Sequence, residues 1–466
     1  MRLAWFSPWS PERSGVAGRS AELVPLLARR GHAIVVFADD RRRNRPAVPD
    51  APPEDGSVRV ITAHDFVWRH AKQHYDLAVY QVGNSHLHRF IWPYMFRYPG
   101  LAVLHDARVH HARAAALLDA DRTDDYRAEF AWSHPDAPPS AAEFALQRID
   151  SVLFYQWPMI RAVIESARLV GAHSRGVADR LARDFPDRPF EHIALGEGPA
   201  DGDTQAARHE FRSAHGLPED AIVFGVHGGL TRDKRILDIL RAFAAIKKAL
   251  PGVRLLLAGA ADPSLDLDAR VAELGLTAAT CRVAAVDDAE FDRAIAASDI
   301  TLNLRWPSAL ETSGPWVRSL AMGRPTVIVD MAHQAHVPAL DPRTWCRHEP
   351  TADLEPGADD RAVTVALDIR DLEHSLQLAM RRLATDPALR DRLGRRARAW
   401  WEREHTVDRM VADYERAIAR AVTLPSPSAG PDWPAHLRPD PAALTHDLLQ
   451  SAVWEDATVR GRLTGL

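Results

Sequence analysis

Short apolar runs alternate with longer amphipathic segments along most of the chain. Residues 3–6 (Leu-Ala-Trp-Phe) form an apolar run of strand length, and the segment 21–30 carries leucines at helical spacing. Gly31 then ends the helical pattern, and the apolar run 33–37 follows at once. This alternation predicts an α/β fold in which helices cover parallel sheets.

The alternation falls into two halves separated by a polar stretch at 198–203. Apolar runs in the first half predict further strands at 58–62, 77–81, 101–105, 168–172 and 192–195. Runs in the second half predict strands at 222–226, 253–258, 282–286, 300–304 and 326–329, and a long final helix is predicted at 390–421. We therefore predict two doubly wound, Rossmann-like domains, 1–197 and 198–422. The tail, 423–466, is predicted to be a Pro-rich tether with a short helix at 442–453.

Composition and charge narrow the functional classes. The chain of 466 residues is long enough for two large domains, and 46% hydrophobic with 26% charged residues is normal globular usage. The net charge of -5 and the lack of a Lys/Arg stripe argue against nucleic acid as a partner. No apolar run approaches the roughly 18 residues that a membrane-spanning helix needs. We expect a cytoplasmic protein without a transmembrane segment, and its oligomeric state stays open.

The cysteines and histidines do not suggest a metal centre. Cys281 and Cys346 are the only cysteines, which is too few for a disulfide framework, and neither has metal-site spacing. His110 and His111 invite a metal interpretation, but no companion ligands stand at a suitable spacing. The sequence therefore predicts neither a metal nor a bound cofactor.

Candidate chemistry lies in the loops that follow strands, because parallel sheets bind ligands at the carboxyl ends of their strands. Gly15 lies in a glycine-containing loop between the first predicted strand and its helix, where backbone N–H groups suit a phosphate. His105 is a candidate to hydrogen-bond a reacting group, and Asp106 is a candidate to orient a substrate or act as a base. Asn84 is a candidate for an acceptor pocket. A plain turn explains Gly15 or Asn84 equally well at this stage.

The segment 228–235 (Gly-Gly-Leu-Thr-Arg-Asp-Lys-Arg) joins a predicted strand to a predicted helix. A helix N-terminus combined with Lys234 and Arg232 provides fixed positive potential and forked donors. This combination suits a diphosphate. The alternative is a solvated helix start.

The segment 307–314 also joins a strand to a helix and contains Glu311, Thr312, Ser313 and Gly314. A carboxylate can hold sugar hydroxyls while the following hydroxyls and amides take phosphate oxygens. The alternative is that Thr312 or Ser313 is simply the N-cap of the helix.

Together these segments resemble the retaining GT-B glycosyltransferases of family four, the nucleotide-sugar-dependent group 1 type. The resemblance covers most of residues 1–422 and is carried by the strings RLAWFSPWSPERSGVAGRSAEL, YDLAVYQVGNS, LAVLHDARVHH, GVHGGLTRDKRILDILRAF and SDITLNLRWPSALETSGPWVRSLAMGRPTVIVD. It implies two Rossmann-like domains facing across a cleft, with the nucleotide held mainly by the C-terminal one. It also implies sugar transfer from a nucleotide-sugar donor to an acceptor hydroxyl, with retention and without a metal.

The resemblance also implies roles for individual residues. Gly15 would approach the donor phosphates, His105 would lie beside the transferred sugar, and Lys234 with Arg232 would bind the diphosphate. Glu311, Thr312, Ser313 and Gly314 would hold sugar and phosphate. The N-terminal domain, through Asn84 and Asp106, would bind the acceptor. The predicted catalytic residues are His105, Lys234 and Glu311.

The sequence departs from the family pattern at two positions. Gly229 stands five residues before Lys234, where the family commonly has Arg, so Arg232 or another cation has to compensate. Ser319 stands eight residues after Glu311, where the family commonly has a Glu that binds the ribose. The identity of the nucleotide therefore stays open.

Several alternatives remain at this stage. The fold is also compatible with a sugar-nucleotide epimerase, a phosphorylase or a non-catalytic sugar-binding scaffold. The aromatic segment 90–98 fits a core helix or peripheral contact with a membrane or a lipid-linked acceptor. The tail after residue 424 fits a return to the N-terminal domain or a role in assembly.

Overall fold

The computed structural model describes residues 1–12, 14–39, 58–147, 149, 153–198, 204–284, 287–348 and 361–438. The chain divides into two compact units. Unit 1 comprises Met1–Ile193, Ala309–Thr312 and the chain from Val411 onward, and unit 2 comprises Ala194–Ser308 and Ser313–Met410. The division thus falls after residue 193, four residues before the predicted boundary, and it assigns the end of the chain to unit 1.

Unit 1 is built on a sheet of seven parallel strands in the order β3-β2-β1-β4-β5-β6-β7. The strands are β1 (Arg2–Phe6), β2 (Ala33–Ala38), β3 (Arg59–Thr62), β4 (Leu77–Val82), β5 (Leu101–Leu104), β6 (Leu169–Ala172) and β7 (Phe190–His192). The helices are α1 (Gly15–Arg29), α2 (Phe66–Lys72), α3 (Trp92–Met95), α4 (His110–Leu118), α5 (Thr123–Ser133), α6 (Ala141–Leu146), α7 (Leu153–Gln156), α8 (Arg161–Ser166) and α9 (Arg175–Asp184).

The central strands of unit 1 are buried on both faces, as a parallel sheet covered by helices requires. Every residue of β4 is buried. The ring of Phe6 lies 5.1 Å from that of Phe37 and 4.9 Å from that of Tyr80. In the aromatic segment 90–98, Trp92 and Tyr94 are buried in this same core. The core interpretation of that segment therefore accounts for its apolar side chains.

Unit 2 is built on a sheet of eight strands in the order β10-β9-β8-β11-β12-β15-β13-β14. The strands are β8 (Val223–His227), β9 (Arg254–Ala258), β10 (Thr280–Val283), β11 (Ile300–Leu302), β12 (Thr326–Val329), β13 (Ala339–Leu340), β14 (Arg347–His348) and β15 (Thr364–Leu367). All pairs are parallel except the edge pair of β13 and β14. The helices are α10 (Thr204–Ala214), α11 (Ile236–Ala249), α12 (Leu267–Glu273), α13 (Asp288–Ala297), α14 (Gly314–Ala321), α15 (Leu372–Thr385) and α16 (Pro387–Glu404). A last helix, α17 (Val407–Thr423), follows.

Two predicted elements are wrong in their extent. The single helix predicted at 390–421 is two helices, because the side chain of Thr406 accepts a hydrogen bond from the N–H of Arg409 at 3.3 Å and starts α17 afresh. The strand predicted at 192–195 is instead β7, which ends at His192. Its polar residue Glu191 pairs with Arg416, so the apolar pattern does not reveal this edge strand.

The described part of the tail packs on unit 1. Trp433 and Leu437 are buried in the unit 1 core, and the Trp433 ring lies 5.7 Å from that of Trp132. The tail therefore returns to the N-terminal domain, one of the two options left open by the sequence. The helix predicted at 442–453, residues 199–203 of the polar stretch and the end of the strand predicted at 282–286 lie outside the described residues.

No helix in the described part of the chain is long and apolar enough to cross a membrane.

Candidate active site

In the unit 1 sheet the strand order reverses between β1 and β4. Doubly wound sheets bind ligands at the carboxyl ends of the strands beside such a reversal. Gly15 begins α1 at this edge, and the Ser14 hydroxyl caps the helix by accepting the N–H of Ala17 at 3.1 Å. A Cβ atom added at Gly15 would meet no described atom within 4 Å. The backbone at Gly15 is therefore open to a ligand, but the structure does not by itself assign it one.

His105 directly follows β5 at the same edge. Its backbone N–H donates to the carbonyl of Val82 at 2.8 Å, which holds it beside the end of β4. Its Nε2 lies 2.8 Å from Oε1 of Gln81. Burial, together with the neighbouring His173, His88 and Arg19, lowers the pKa of His105 well below its ordinary value of 6.5. His105 is therefore neutral at physiological pH.

Asn84 and Asp106 are joined by a short hydrogen bond, from the Asn84 N–H to Oδ2 of Asp106 at 2.7 Å. The Asn84 side chain is also occupied, because its Oδ1 accepts the N–H of Ala112 at 3.2 Å and its Nδ2 lies 3.1 Å from Nδ1 of His111. Asn84 thus accepts one of the backbone N–H groups in the first turn of α4, which have no partner within the helix. These contacts give it a structural role, and its predicted role in acceptor binding stays a prediction.

Glu311 and Thr312 belong to unit 1, although they lie about 200 residues from His105 in sequence. The carbonyl of Ala309 accepts the N–H groups of Ala107 and Arg108, at 2.9 and 3.1 Å. The Thr312 hydroxyl donates to the carbonyl of His173 at 3.1 Å. Because the His173 ring lies 4.7 Å from that of His105, the structure brings the predicted Glu311–Thr312 segment to the His105 edge.

Arg108 is a residue of this edge that the sequence did not single out. Burial and the nearby Arg180 lower its pKa, and the carboxylate of Glu311 opposes that shift. The charges of Arg108 and Glu311 therefore interact. An Arg two residues after Asp106 was visible in the sequence, but its partner was not.

Lys234 is buried at the carboxyl end of β8 in unit 2. The strand order of that sheet reverses next to it, between β8 and β11. Its ammonium donates to the carbonyl of His227 at 2.6 Å. Gly228 lies next to it with φ +80, and an added Cβ there would stand 3.0 Å from Nζ of Lys234. Only glycine fits this position without strain. Because glycine has no side chain, the Lys234 ammonium lies close to the backbone of Gly228.

Arg232 is exposed and does not share the environment of Lys234. Its guanidinium donates to the side chain of Ser264 at 3.2 Å. At Gly229, where the resembling family has Arg, an added Cβ would meet no described atom within 4 Å. Arg232 therefore reaches away to the loop after β9, and it would have to leave Ser264 to contact a ligand.

Ser313 and Gly314 form the N-terminus of α14. The Ser313 hydroxyl accepts the N–H of Trp316 at 3.4 Å, so Ser313 is the N-cap of α14, which was the alternative interpretation of this segment. Its predicted role in donor binding stays a prediction. The first turn of α14 contains no acidic residue. The helix N-terminus has positive potential, and the carboxylate of the buried Glu197 already lies close to it at Gly314.

Arg318 lies on α14 and pairs with Glu197, a charged residue that the sequence motifs missed. Nε of Arg318 lies 2.9 Å from Oε2 of the buried Glu197, and its Nη1 lies 3.3 Å from Asp292. Burial alone would lower the pKa of Arg318, but Glu197 and Asp292 raise it. An added Cβ at Gly314 would stand 3.3 Å from Oε1 of Glu197. Gly314 is therefore explained by the close approach of a protein carboxylate.

Ser319 does not offer its hydroxyl to a ligand. The side chain is fully buried, and its Oγ donates to the carbonyl of Pro315 at 2.8 Å within α14. The hydroxyl is thus satisfied one turn back along its own helix. Position 319 cannot perform the ribose contact that the resembling family gives to Glu.

The two adjacent histidines of α4 have ordinary structural partners. Nε2 of His110 lies 2.8 Å from the hydroxyl of Tyr126, and burial lowers the pKa of His110 to about 3. The ring of His111 stacks 4.5 Å from that of Phe154. In the part of the chain that the structure describes, no group of three or more His, Cys, Asp or Glu side chains is arranged to hold a metal ion.

Comparison with solved structures identifies the architecture. Sucrose-phosphate synthase from Thermosynechococcus elongatus matches with a TM-score of 0.60 at 17% identity, over 90% of this chain and 98% of that one. The lipopolysaccharide glycosyltransferase WaaG matches with a TM-score of 0.57 at 15% identity, over 89% and 98% of the two chains. The chain has the GT-B fold. HepE from Anabaena, solved in complex with UDP-glucose, matches with a TM-score of 0.52 at 13% identity, over 90% and 99%.

Comparison by sequence gives no such match, because no protein-family model and no curated protein matches this chain. At identities of 17% or less, the GT-B likeness concerns the path of the backbone and not the side chains of the site. The roles of His105, Lys234 and the Glu311 loop therefore depend on the local chemistry described above, and they remain predictions.

Proposed function

We propose that this GT-B protein is a glycosyltransferase that moves a sugar from a nucleotide-sugar donor to an acceptor hydroxyl, with retention of configuration and without a metal ion. Lys234 is the observation that carries the proposal. Its ammonium is buried, is fixed by the carbonyl of His227 and lies beside Gly228, whose backbone has a positive φ, at the carboxyl end of β8. A cation pre-oriented in this way suits a diphosphate, whose charge increases as the sugar departs.

The surroundings of Lys234 in unit 2 support a diphosphate ligand. The first turn of α14 adds positive helix-dipole potential without an acidic side chain. Arg318 offsets part of the negative charge of Glu197, although it also pairs with Asp292. HepE, which shares the fold, was solved with UDP-glucose. A nucleotide sugar is therefore the donor class that we assign to this chain.

In unit 1, the neutral His105 supplies a hydrogen-bonding group for a sugar hydroxyl, and Glu311 supplies a carboxylate held near Arg108. Cations and backbone amides can stabilise the departing nucleotide by electrostatics alone. The acceptor hydroxyl attacks the anomeric carbon from the face that the diphosphate leaves, so the new bond replaces the broken one with retention and without a protein nucleophile. The acceptor proton passes to the leaving phosphate, so no protein base is needed either.

Nucleotide binding tests the proposal. Titration calorimetry with UDP, GDP, ADP and TDP should show that at least one binds the wild-type protein, and at 100 times its dissociation constant it should stabilise the fold by about 2.7 kcal/mol. Lys234→Ala should weaken that binding by roughly 10-fold to 150-fold, since hydrogen bonds to charged groups contribute about 1.5–3 kcal/mol.

Lys248→Ala is the matched control, because Lys248 is an exposed lysine on α11 of the same unit. It should bind the nucleotide as the wild type does. The proposal fails if none of the four diphosphates binds, or if both alanine variants bind as tightly as the wild type.

A further inference from the structure

Gln81 connects His105 to a tyrosine far along the chain. Oε1 of Gln81 lies 2.8 Å from Nε2 of His105 and accepts a hydrogen bond from the Tyr414 hydroxyl at 3.1 Å. All three residues belong to unit 1. The two hydrogen bonds therefore converge on a single amide oxygen directly behind the histidine.

The burial of this group fixes its geometry. Gln81 is 1% exposed and Tyr414 is 0% exposed. Gln81 is the penultimate residue of β4, which pairs with β5 in the register Gln81↔Val103, so it stands beside the strand that carries His105. The Tyr414 ring lies 5.7 Å from that of Trp5. Neither Gln81 nor Tyr414 can swing away without disturbing the core.

The hydrogen-bond chemistry determines which nitrogen of His105 is protonated. Burial raises the pKa of Tyr414, so the phenol keeps its proton and donates it to Gln81. An amide oxygen only accepts hydrogen bonds, so with Oε1 of Gln81 towards His105 the proton in the second bond belongs to Nε2 of His105. Since His105 is neutral, it carries one ring proton, and Nδ1 is left with a lone pair.

The other nitrogen of His105 is available to a substrate. The ring is only partly buried, and no hydrogen bond joins Nδ1 to any residue that the structure describes. A neutral imidazole nitrogen with a lone pair accepts hydrogen bonds and cannot donate one. Its natural partner is a hydroxyl, the group that both the transferred sugar and the acceptor of a glycosyltransferase carry.

We propose that Gln81 and Tyr414 are positioning residues that hold His105 as its Nε2–H tautomer, so that Nδ1 accepts a hydrogen bond from a substrate hydroxyl. This inference rests on the proposed function for the identity of the substrate, but the tautomer itself does not depend on it. Partners behind a functional histidine commonly set its tautomer and orientation in this way.

The first test reads the tautomer directly. Long-range 1H–15N correlation spectra of protein labelled at histidine nitrogen distinguish a protonated from an unprotonated ring nitrogen, and the His105→Asn variant assigns the signal. We expect a protonated Nε2 and an unprotonated Nδ1 in the wild type. In Gln81→Leu, which removes the acceptor, we expect the two tautomers to mix. A wild-type His105 with its proton on Nδ1 overturns the proposal, whether or not the protein turns over any sugar.

The second test compares Gln81→Glu with Gln81→Leu in steady-state kinetics. Leucine removes the acceptor, and kcat/KM should fall by about 10-fold to 100-fold, the range found when hydrogen-bond partners of metal-bound histidines are removed. Glutamate keeps an acceptor for Nε2–H and should restore most of the activity at pH 8. The substrate whose KM rises in Gln81→Leu identifies whether the hydroxyl belongs to the donor sugar or to the acceptor.

The pH profile separates this role from a purely structural one. His173, His88 and Arg19 face His105 and keep it neutral in the wild type, so kcat/KM should show no inflection from His105 in the acid range. A carboxylate at position 81 raises the pKa of His105, and below that pKa Nδ1 is protonated and can no longer accept. Gln81→Glu should therefore lose activity as the pH falls through the raised pKa of His105, and Gln81→Leu should show no loss over the same pH range.

Two controls complete the design. Tyr414→Phe removes one of the two bonds to Gln81 and should lower kcat/KM less than Gln81→Leu does. Gln377→Leu makes the same replacement at a partly exposed position of α15 and should leave kcat/KM unchanged. If Gln81→Glu gives the wild-type pH profile, and the Gln81 variants lose only thermal stability, Gln81 is a core residue and the proposal is wrong.

Discussion

Replacing Glu129 with Gln should destabilise unit 1 strongly. The Glu129 side chain is 0% exposed and lies on α5, where it accepts a hydrogen bond from Nε of the buried Arg113 at 2.7 Å. Nε2 of His436, in the tail, lies 2.9 Å from Oε2 of Glu129. An amide keeps the shape of the carboxylate but not its charge, so the Arg113 guanidinium would stay buried without compensation.

The pKa shift of Glu129 and the usual cost of breaking a buried ion pair indicate a similar loss of stability. Burial alone would raise the pKa of Glu129, but Arg113 and His436 outweigh it and lower the pKa from 4.5 to about 2. At 1.36 kcal/mol per pKa unit, a shift of this size corresponds to about 3 kcal/mol of stability. Breaking a buried ion pair by removing one partner typically costs about 3–5 kcal/mol.

The assay is urea denaturation at pH 7, followed by intrinsic fluorescence. Glu129→Gln should lower the free energy of unfolding of unit 1 by about 3 kcal/mol. Because the pKa is lowered on folding, the contribution of Glu129 is fully present above pH 4.5 and is lost as the pH falls towards 2. The difference between variant and wild type should therefore shrink over that acid range.

Glu143→Gln is the matched control, because Glu143 pairs with Arg127 at an exposed site near the same helix. It should not change the stability measurably, since exposed pairs are screened by water. A Glu129→Gln protein as stable as the wild type at pH 7 would refute the reasoning, and so would a loss that is equally large at pH 7 and pH 2.

Two further predictions concern the diphosphate site and the tail. Gly228→Ala should weaken nucleotide binding in calorimetry, because the new methyl group is strained at φ +80 and would stand 3.0 Å from Nζ of Lys234, whereas Gly252→Ala, with no described atom within 4 Å, should bind normally. Equal affinities in the two variants would contradict this. Trp433→Ala should lower the free energy of unfolding by roughly 3–5 kcal/mol in urea, because Trp433 is buried on unit 1. Trp68→Ala, at a position 51% exposed, should cost much less, and an equal loss would mean that the tail does not support unit 1.

The parallel sheets could be predicted from the sequence because their evidence is local. A strand such as β4, buried on both faces, reads as a continuous apolar run, and loops such as 228–235 stand directly after the strands that place them. Edges and breaks were harder to predict. The polar β7 and the restart of a helix at Thr406 depend on single side-chain contacts that no periodicity shows.

The residues of the candidate site also differ in whether a local sequence pattern reveals them. Lys234 and the N-cap Ser313 stood within recognisable strings, and the structure places them at the carboxyl edge of unit 2. Glu197 could not be predicted, because its partner Arg318 is 121 residues away. Gln81 is the last residue of the strand predicted at 77–81, but its partner Tyr414 is 333 residues away. Pairings over such distances exist only in the folded chain.

The most direct measurement of the central claim is turnover of nucleotide sugars by the purified wild-type protein with EDTA present. UDP-, GDP-, ADP- and TDP-sugars are incubated one at a time, and the released nucleoside diphosphate is quantified. We predict that at least one donor releases its diphosphate, by slow hydrolysis or by transfer, and that this release continues in EDTA. Lys234→Ala should stop the release, and Lys248→Ala should leave it unchanged. Release of no diphosphate from any donor, or a rate that Lys234→Ala leaves unchanged, would contradict the assignment of this GT-B protein as a metal-independent glycosyltransferase.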